Sequence, residues 1–284
     1  MHDGTGDSKG REAQRNNNFG ALRLCFSVLV LFSHSYPLTG NIKSEPLTLF
    51  TAGTLDFGGV SVDGFFLISG CLITQSWSRS RSPADFIIRR FLRIYPGYWI
   101  TLLFSLMIGT IASTPDSLVY LKNVYYHNDQ LLRDILFLGG GVQDQPPVFK
   151  SNLFPNSVNG SLWTLQTEFL CYALTLVLGV FGIAGGKRAS LISFTLCYAI
   201  FALNIVHIPG TEYKLLSRFL TFFFLGAAVS SGVFGPPRLT VLYSLICCGL
   251  VAAATQSRTT TALVYPFVFA YCCLESLTHG SHQA

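Results

Sequence analysis

The sequence predicts an all-α protein, a polytopic membrane helix bundle of about eight transmembrane helices. Three observations carry this. Half of the 284 residues are hydrophobic and only 12% are charged, about half the charged share of an ordinary water-soluble domain. The apolar residues arrive in blocks of 17 to 20 between short polar stretches, and about 20 mostly apolar residues take an α-helix across the hydrocarbon core. No ten-residue run alternates apolar with polar, which argues against a membrane barrel.

The elements follow in chain order. Residues 1–18, MHDGTGDSKGREAQRNNN, are polar and without aromatics, and read as a solvated cytoplasmic tail. The membrane domain is expected over 19–278, with a short tail at 279–284. Its spans are expected at Phe19–Leu38, Gly58–Trp77, Ile94–Ser113, Ser161–Val180, Ala189–Val206, Ser217–Phe234, Leu239–Thr255 and Thr261–Leu277. The first run lacks a small-residue cleavage site and more spans follow, so it reads as a retained helix and not a signal peptide. The longest connection, 114–160, holds Pro115, Pro146, Pro147 and Pro155. Its LLRDILFLGGG stretch is too short to span and reads as a re-entrant or interfacial piece. Such a loop either covers an acceptor site or is plain surface.

Lysine and arginine set the orientation. With the N-terminus in the cytoplasm, twelve of the 19 basic residues fall inside, among them Arg23, Arg79, Arg81, Arg89, Arg90 and Arg93. Both termini are then cytoplasmic. The formal charge of +5 reads as topology and calls for no nucleic-acid partner. The eight cysteines lie inside apolar runs without CxxC or Cys/His metal spacing, so no metal site is expected.

Ionisable residues within spans are costly and therefore candidate sites. His34 follows Arg23 by eleven residues, almost three helical turns, so both face the same way about 16 Å apart. Asp63 lies five residues into the second span, with Ser69 and Gly70 deeper. Ser161, Glu168 and Tyr172 are spaced for one helix stripe. By span length, His34, Asp63 and Glu168 share one layer in the outer half. At the opposite face Arg90 and Arg93 stand three apart, and guanidinium forks suit phosphate oxygens. A basic cluster inside, a polar layer outside and an Arg–His face joining them fit a thin, phosphate-bearing donor such as a coenzyme A thioester. The chemistry would be acyl transfer to a hydroxyl, with His34 as general base and a carboxylate orienting it. No GxSxG is present, so direct attack by the acceptor hydroxyl is the simpler route.

Four stretches carry a resemblance. NNFGALRLCFSVLVLFSHS holds Arg23 and His34. GGVSVDGFFLISGCLIT holds Asp63, Phe65, Phe66, Ser69 and Gly70. FIIRRFLRIYPGYW holds Arg90, Arg93, Tyr95 and Pro96. NGSLWTLQTEFLCY holds Ser161, Trp163, Glu168 and Tyr172. In this order they resemble the membrane acyltransferase-3 family, which includes bacterial O-acetyltransferases of O-antigen, exopolysaccharide and Nod-factor sugars. The resemblance implies acetyl-CoA as the donor, a glycan or lipid-linked saccharide as the acceptor, and a multi-pass place in the bacterial inner membrane. It implies His34 as the catalytic base and Arg23, Arg90 and Arg93 as donor-binding residues. It leaves Glu168 either catalytic or structural, with Asp63, Ser69, Ser161, Trp163 and Tyr172 as a supporting polar layer. Family members usually have about ten membrane helices, so eight leaves open that the last ones are missing. Two other readings remain: a solute or proton transporter whose path is the polar layer, and an inactive truncated paralogue.

Overall fold

The computed structural model describes residues 5–113, 117–126, 128–138, 148–149, 152–153, 158–207, 211–234, 246, 249 and 257–278. Every regular element among them is helical. In order these are α1 (Thr5–Leu38), a 3₁₀ turn (Ile42–Ser44), α2 (Pro46–Phe50), α3 (Phe57–Ser78), α4 (Pro83–Ala112), α5 (Ser117–Tyr126), α6 (Asn128–Phe137), α7 (Thr164–Val180), α8 (Lys187–His207), α9 (Thr211–Ser230) and α10 (Arg258–Thr278). Four stretches, Asn18–Leu38, Phe57–Ser78, Pro83–Ala112 and Lys187–Ile205, are long and apolar enough to cross a membrane. The apolar helices Thr164–Val180 and Leu215–Ser230 are shorter. On α1, Leu24, Val28 and Leu31 are 66%, 56% and 73% exposed, a surface that suits lipid and would be a liability in water. The chain is a multi-pass helical membrane protein. The expected span Leu239–Thr255 lies outside the described residues.

The starts of α1 and α4 differ most from the sequence reading. α1 begins at Thr5, inside the stretch expected to be a solvated tail. α4 begins at Pro83, eleven residues before the expected span, so Arg89, Arg90 and Arg93 are helical and not part of a loop. The cause is a capping box. Ser82 Oγ accepts from the Asp85 N–H at 3.2 Å, Asp85 Oδ2 accepts from the Arg81 N–H at 3.0 Å, and Pro83 occupies the first turn.

The chain divides into two compact units, residues 1–36, 41–75 and 183–284 in the first, and 37–40 and 76–182 in the second. In the first unit α3 starts where two carboxylates meet its N-terminus. Asp56 Oδ1 accepts from the Gly59 N–H at 2.7 Å, and the buried Glu45 accepts from the Phe57 N–H at 2.9 Å. Both satisfy donors that a helix start leaves unpaired and face its positive end. α1 runs antiparallel to α3: a Cβ on Gly58 would lie 3.0 Å from Ser33 Oγ, and one on Gly64 would run into the Phe26 ring. α8 packs along α9, and α10 packs on both.

α3 and α9 cross with almost no side chain between them. A Cβ on Gly70 would lie 1.9 Å from the Phe223 carbonyl oxygen, and one on Gly226 would lie 2.0 Å from the Leu67 carbonyl oxygen. Cys71 Sγ donates to the Gly226 carbonyl at 3.1 Å. Small residues permit such close approach between membrane helices. The obstruction is backbone, so Gly70→Ala must push the two helices apart. An overpacking loss of about 1–3 kcal/mol is expected, seen as a lower melting temperature in detergent; an unchanged melting temperature would contradict the crossing.

In the second unit α5 and α6 occupy the connection expected to hold a re-entrant or interfacial piece. Gly109 of α4 admits the ring of Tyr120 from α5. The end of α6 is fixed to α4 by three donors. The Tyr98 hydroxyl donates to the Asp134 carbonyl at 2.6 Å, Trp99 Nε1 to the Ile135 carbonyl at 3.2 Å, and the Tyr95 hydroxyl to the Leu136 carbonyl at 2.7 Å. These carbonyls lie in the last turn, where an α-helix leaves its acceptors unpaired. Tyr95, Tyr98, Leu102, Tyr120, Val124 and Leu138 make the core around them.

Candidate active site

α1 is one α-helix through both Arg23 and His34, so the eleven-residue spacing holds and sets them on one face about 16 Å apart. Arg23 is half-buried and His34 is exposed. The α1–α3 register places His34, next to Ser33, level with the start of α3. Asp63 lies six residues beyond Phe57, about 9 Å deeper at 1.5 Å per residue. His34 and Asp63 are therefore offset along the bundle and do not share a layer.

Asp63 is fully buried, and its carboxylate is occupied. Arg218 of α9 grips it in a fork: Nε lies 3.0 Å from Oδ1 and 2.8 Å from Oδ2, and Nη2 lies 2.5 Å from Oδ2. The Tyr265 hydroxyl of α10 donates to Oδ2 at 2.8 Å, and the Arg218 guanidinium carbon sits 5.8 Å from the Tyr265 ring centre. A carboxylate held this way ties three helices together and has little capacity left for a substrate proton. Ser69 is buried two turns deeper on α3, beside the α3–α9 crossing.

The second unit gathers Arg90, Glu168 and Tyr172. The Tyr172 hydroxyl donates to Glu168 Oε1 across one turn of α7. Arg90 reaches this pair from α4, with its guanidinium carbon 5.8 Å from the Tyr172 ring centre and 5.9 Å from that of Phe86. Its Nη2 donates to Ser76 Oγ at 3.2 Å. The Glu168 carboxylate attracts the Arg90 charge and Arg93 opposes it. Arg93 itself is exposed, one turn along the same helix.

Ser161 departs from the expected stripe. α7 begins at Thr164, so Ser161 sits in the turn before it and helical spacing does not apply. Its hydroxyl donates to Asn159 Oδ1 at 2.6 Å, and Asn159 Nδ2 donates to Ser105 Oγ of α4 at 3.3 Å. Trp163 precedes α7 and is exposed. Ser161 thus helps to pin the start of the helix that carries Glu168. The sequence reading missed Arg218 and Tyr265 altogether. A signal for Arg218 exists, an arginine inside the apolar stretch Ser217–Phe234.

The sequence pattern of the acyltransferase-3 family, described as an acyltransferase domain, covers residues 16–274. The chain belongs to that family. Among curated proteins, it is 35% identical over 164 residues to an "O-acetyl transferase" of Shigella phage Sf6, a match covering 57% of this chain and 45% of the phage protein. It is 29% identical over 171 residues to "Nodulation protein 10" of Rhizobium leguminosarum bv. viciae, covering 60% of this chain and 46% of that protein. The matched stretch spans under half the length of each relative. No solved structure matches the chain.

Proposed function

We propose that this acyltransferase-3 chain is an integral-membrane O-acyltransferase that moves an acyl group, acetyl by preference, from cytoplasmic acyl-CoA to a hydroxyl of an exported or cell-surface glycan. The observation that carries the reading is the unbroken α1, which presents Arg23 and His34 on one face. The family match and the phage relative's name support it. The bacterial inner membrane is its place, with both termini cytoplasmic.

In this reading the acceptor hydroxyl approaches His34, and an imidazole nitrogen takes its proton as the oxygen attacks the thioester carbonyl. The C–S bond breaks, the acyl group passes to oxygen, and the coenzyme A thiolate leaves and takes up the proton. Histidine suits this work because its ordinary pKa lies near neutrality. Arg23, Arg90 and Arg93 hold the donor's phosphates, Arg90 and Arg93 as the forked pair. By the family resemblance, Glu168 is the carboxylate expected to orient the imidazole. Its bond to Tyr172 favours a second role for it, holding the Arg90 cluster in shape.

The test uses membranes containing the protein and radiolabelled acetyl-CoA, with label followed into cell-surface glycan. Transfer above membranes lacking the protein supports the reading. Solute flux without any thioester turnover would replace it with the transporter reading, and neither activity would leave an inactive paralogue.

A further inference from the structure

Between α4 and α7, inside the second unit, lies a cleft of about 280 Å³. Its walls are Phe86, Phe91, Ile94, Phe169, Ala173 and Leu176, with Ile87 and Tyr95 at its edges and Arg90 and Tyr172 as its polar groups. Ile87 and Phe91 are exposed on a helix that crosses the membrane, so the cleft is bordered by lipid-facing residues. Arg90 lines the cleft, and its Nε is buried and has no hydrogen-bond partner among the described residues. A buried donor without a partner is costly; Nη2 is engaged by Ser76, so the guanidinium is only partly satisfied within the described residues.

The walls and the head group ask for different halves of one ligand. The pantetheine arm of coenzyme A carries two amides, and a wall of aromatic and aliphatic carbon would strand them without partners. A hydrocarbon chain loses nothing there. The charge at the mouth selects the head. Residues 79–93 hold Arg79, Arg81, Arg89, Arg90 and Arg93 against the single acid Asp85, which is engaged by Arg89 at 2.9 Å. Basic clusters between membrane helices attract anionic lipid head groups. The bilayer that surrounds α4 and α7 supplies such molecules at high local concentration.

We propose that this cleft is a binding site for an anionic phospholipid, with one acyl chain between α4 and α7 and the phosphate held at the Arg90 guanidinium, backed by Arg93. The site stands on the cleft itself and does not depend on acyl transfer. Where the transfer reading also holds, lipid phosphate and donor phosphate compete for Arg90, and the lipid restrains the enzyme by raising the apparent KM for acyl-CoA.

The protein is purified in detergent, incorporated into nanodiscs of equal phosphatidylglycerol and phosphatidylcholine, released, and its retained lipid weighed by native mass spectrometry. Wild type is expected to keep phosphatidylglycerol over phosphatidylcholine by about fivefold or more. Ala173→Phe fills the cleft and Ile87→Trp blocks its exposed edge; each is expected to lower retained phosphatidylglycerol at least threefold. Arg90→Gln is expected to abolish the preference for the anionic head. Ile87 is exposed, so its variant keeps the test decisive if Ala173→Phe does not fold. Equal retention of the two lipids, or retention that both cleft variants leave unchanged, overturns the site. Lipid retention without glycan labelling leaves the site standing and removes acyl transfer; labelling without retention does the reverse.

Discussion

His34→Ala is expected to lower glycan acylation by at least 100-fold, since a positioned general base contributes roughly 10²–10⁴. The protein should remain at wild-type level, because His34 is exposed on α1 and its removal opens no cavity. His34→Gln keeps the size and polarity of the side chain without its basicity, and is expected to fail equally. Arg23→Ala, on the same helix face, serves as the contrast. If it holds donor phosphate, it raises KM for acyl-CoA more than it lowers kcat, while His34→Ala lowers kcat. Radiolabelled acetyl-CoA with matched membrane amounts reads both. Labelling by His34→Ala equal to wild type would remove the imidazole from the chemistry.

The largest stability effect is expected at the buried carboxylate of α3. Asp63→Ala leaves Arg218, whose side chain is only 17% exposed, without its counter-charge. Breaking one side of a buried pair costs about 3–5 kcal/mol, a large part of the roughly 5–15 kcal/mol that holds a typical domain folded. Tyr265 also loses its acceptor, since its hydroxyl donates to the same oxygen. Replacing both charged partners, Asp63→Leu with Arg218→Met, removes the stranded charge and is expected to recover much of the loss. Thermal unfolding of the detergent-solubilised protein compares the three. A single variant as stable as wild type, or a double variant no better than the single, would show that the pair does not carry the α3–α9–α10 junction.

Most spans were legible because their signal is local. Length and hydropathy placed α3, α7 and α8 to within three residues, while α9 begins six residues before its expected start. The pairing of Glu168 with Tyr172 was also legible, because it depends only on one helical turn. Misreadings came where a boundary or a distant partner decides. The α4 start follows from Ser82, Pro83 and Asp85, a capping signal present in the sequence but masked by weighing apolar length alone. Ser161 left its stripe because α7 begins three residues later. The bond from Arg218 to Asp63 joins positions 155 apart, and that from Tyr265 joins positions 202 apart. Helical periodicity relates neighbours on one helix and carries no information on such pairs. The offset of His34 from Asp63 likewise depends on the antiparallel register of α1 and α3, which two glycines set. Of the expected site residues, the Glu168–Tyr172 pair could be read from spacing, whereas the fork of Arg218 on Asp63 could not.

The anchoring of α6 to Tyr95, Tyr98 and Trp99 has a bearing on dielectric surroundings. A ten-residue helix cannot reach from one aqueous face to the other. Where such a helix stops inside hydrocarbon, its final carbonyls have no water to turn to, and irregular backbone is tolerated only when protein groups stand in. Two phenols and an indole from α4 are that substitute solvent. α6 can therefore end in an oily medium, because the aromatic residues of the Tyr-Pro segment stand in for water at its last turn.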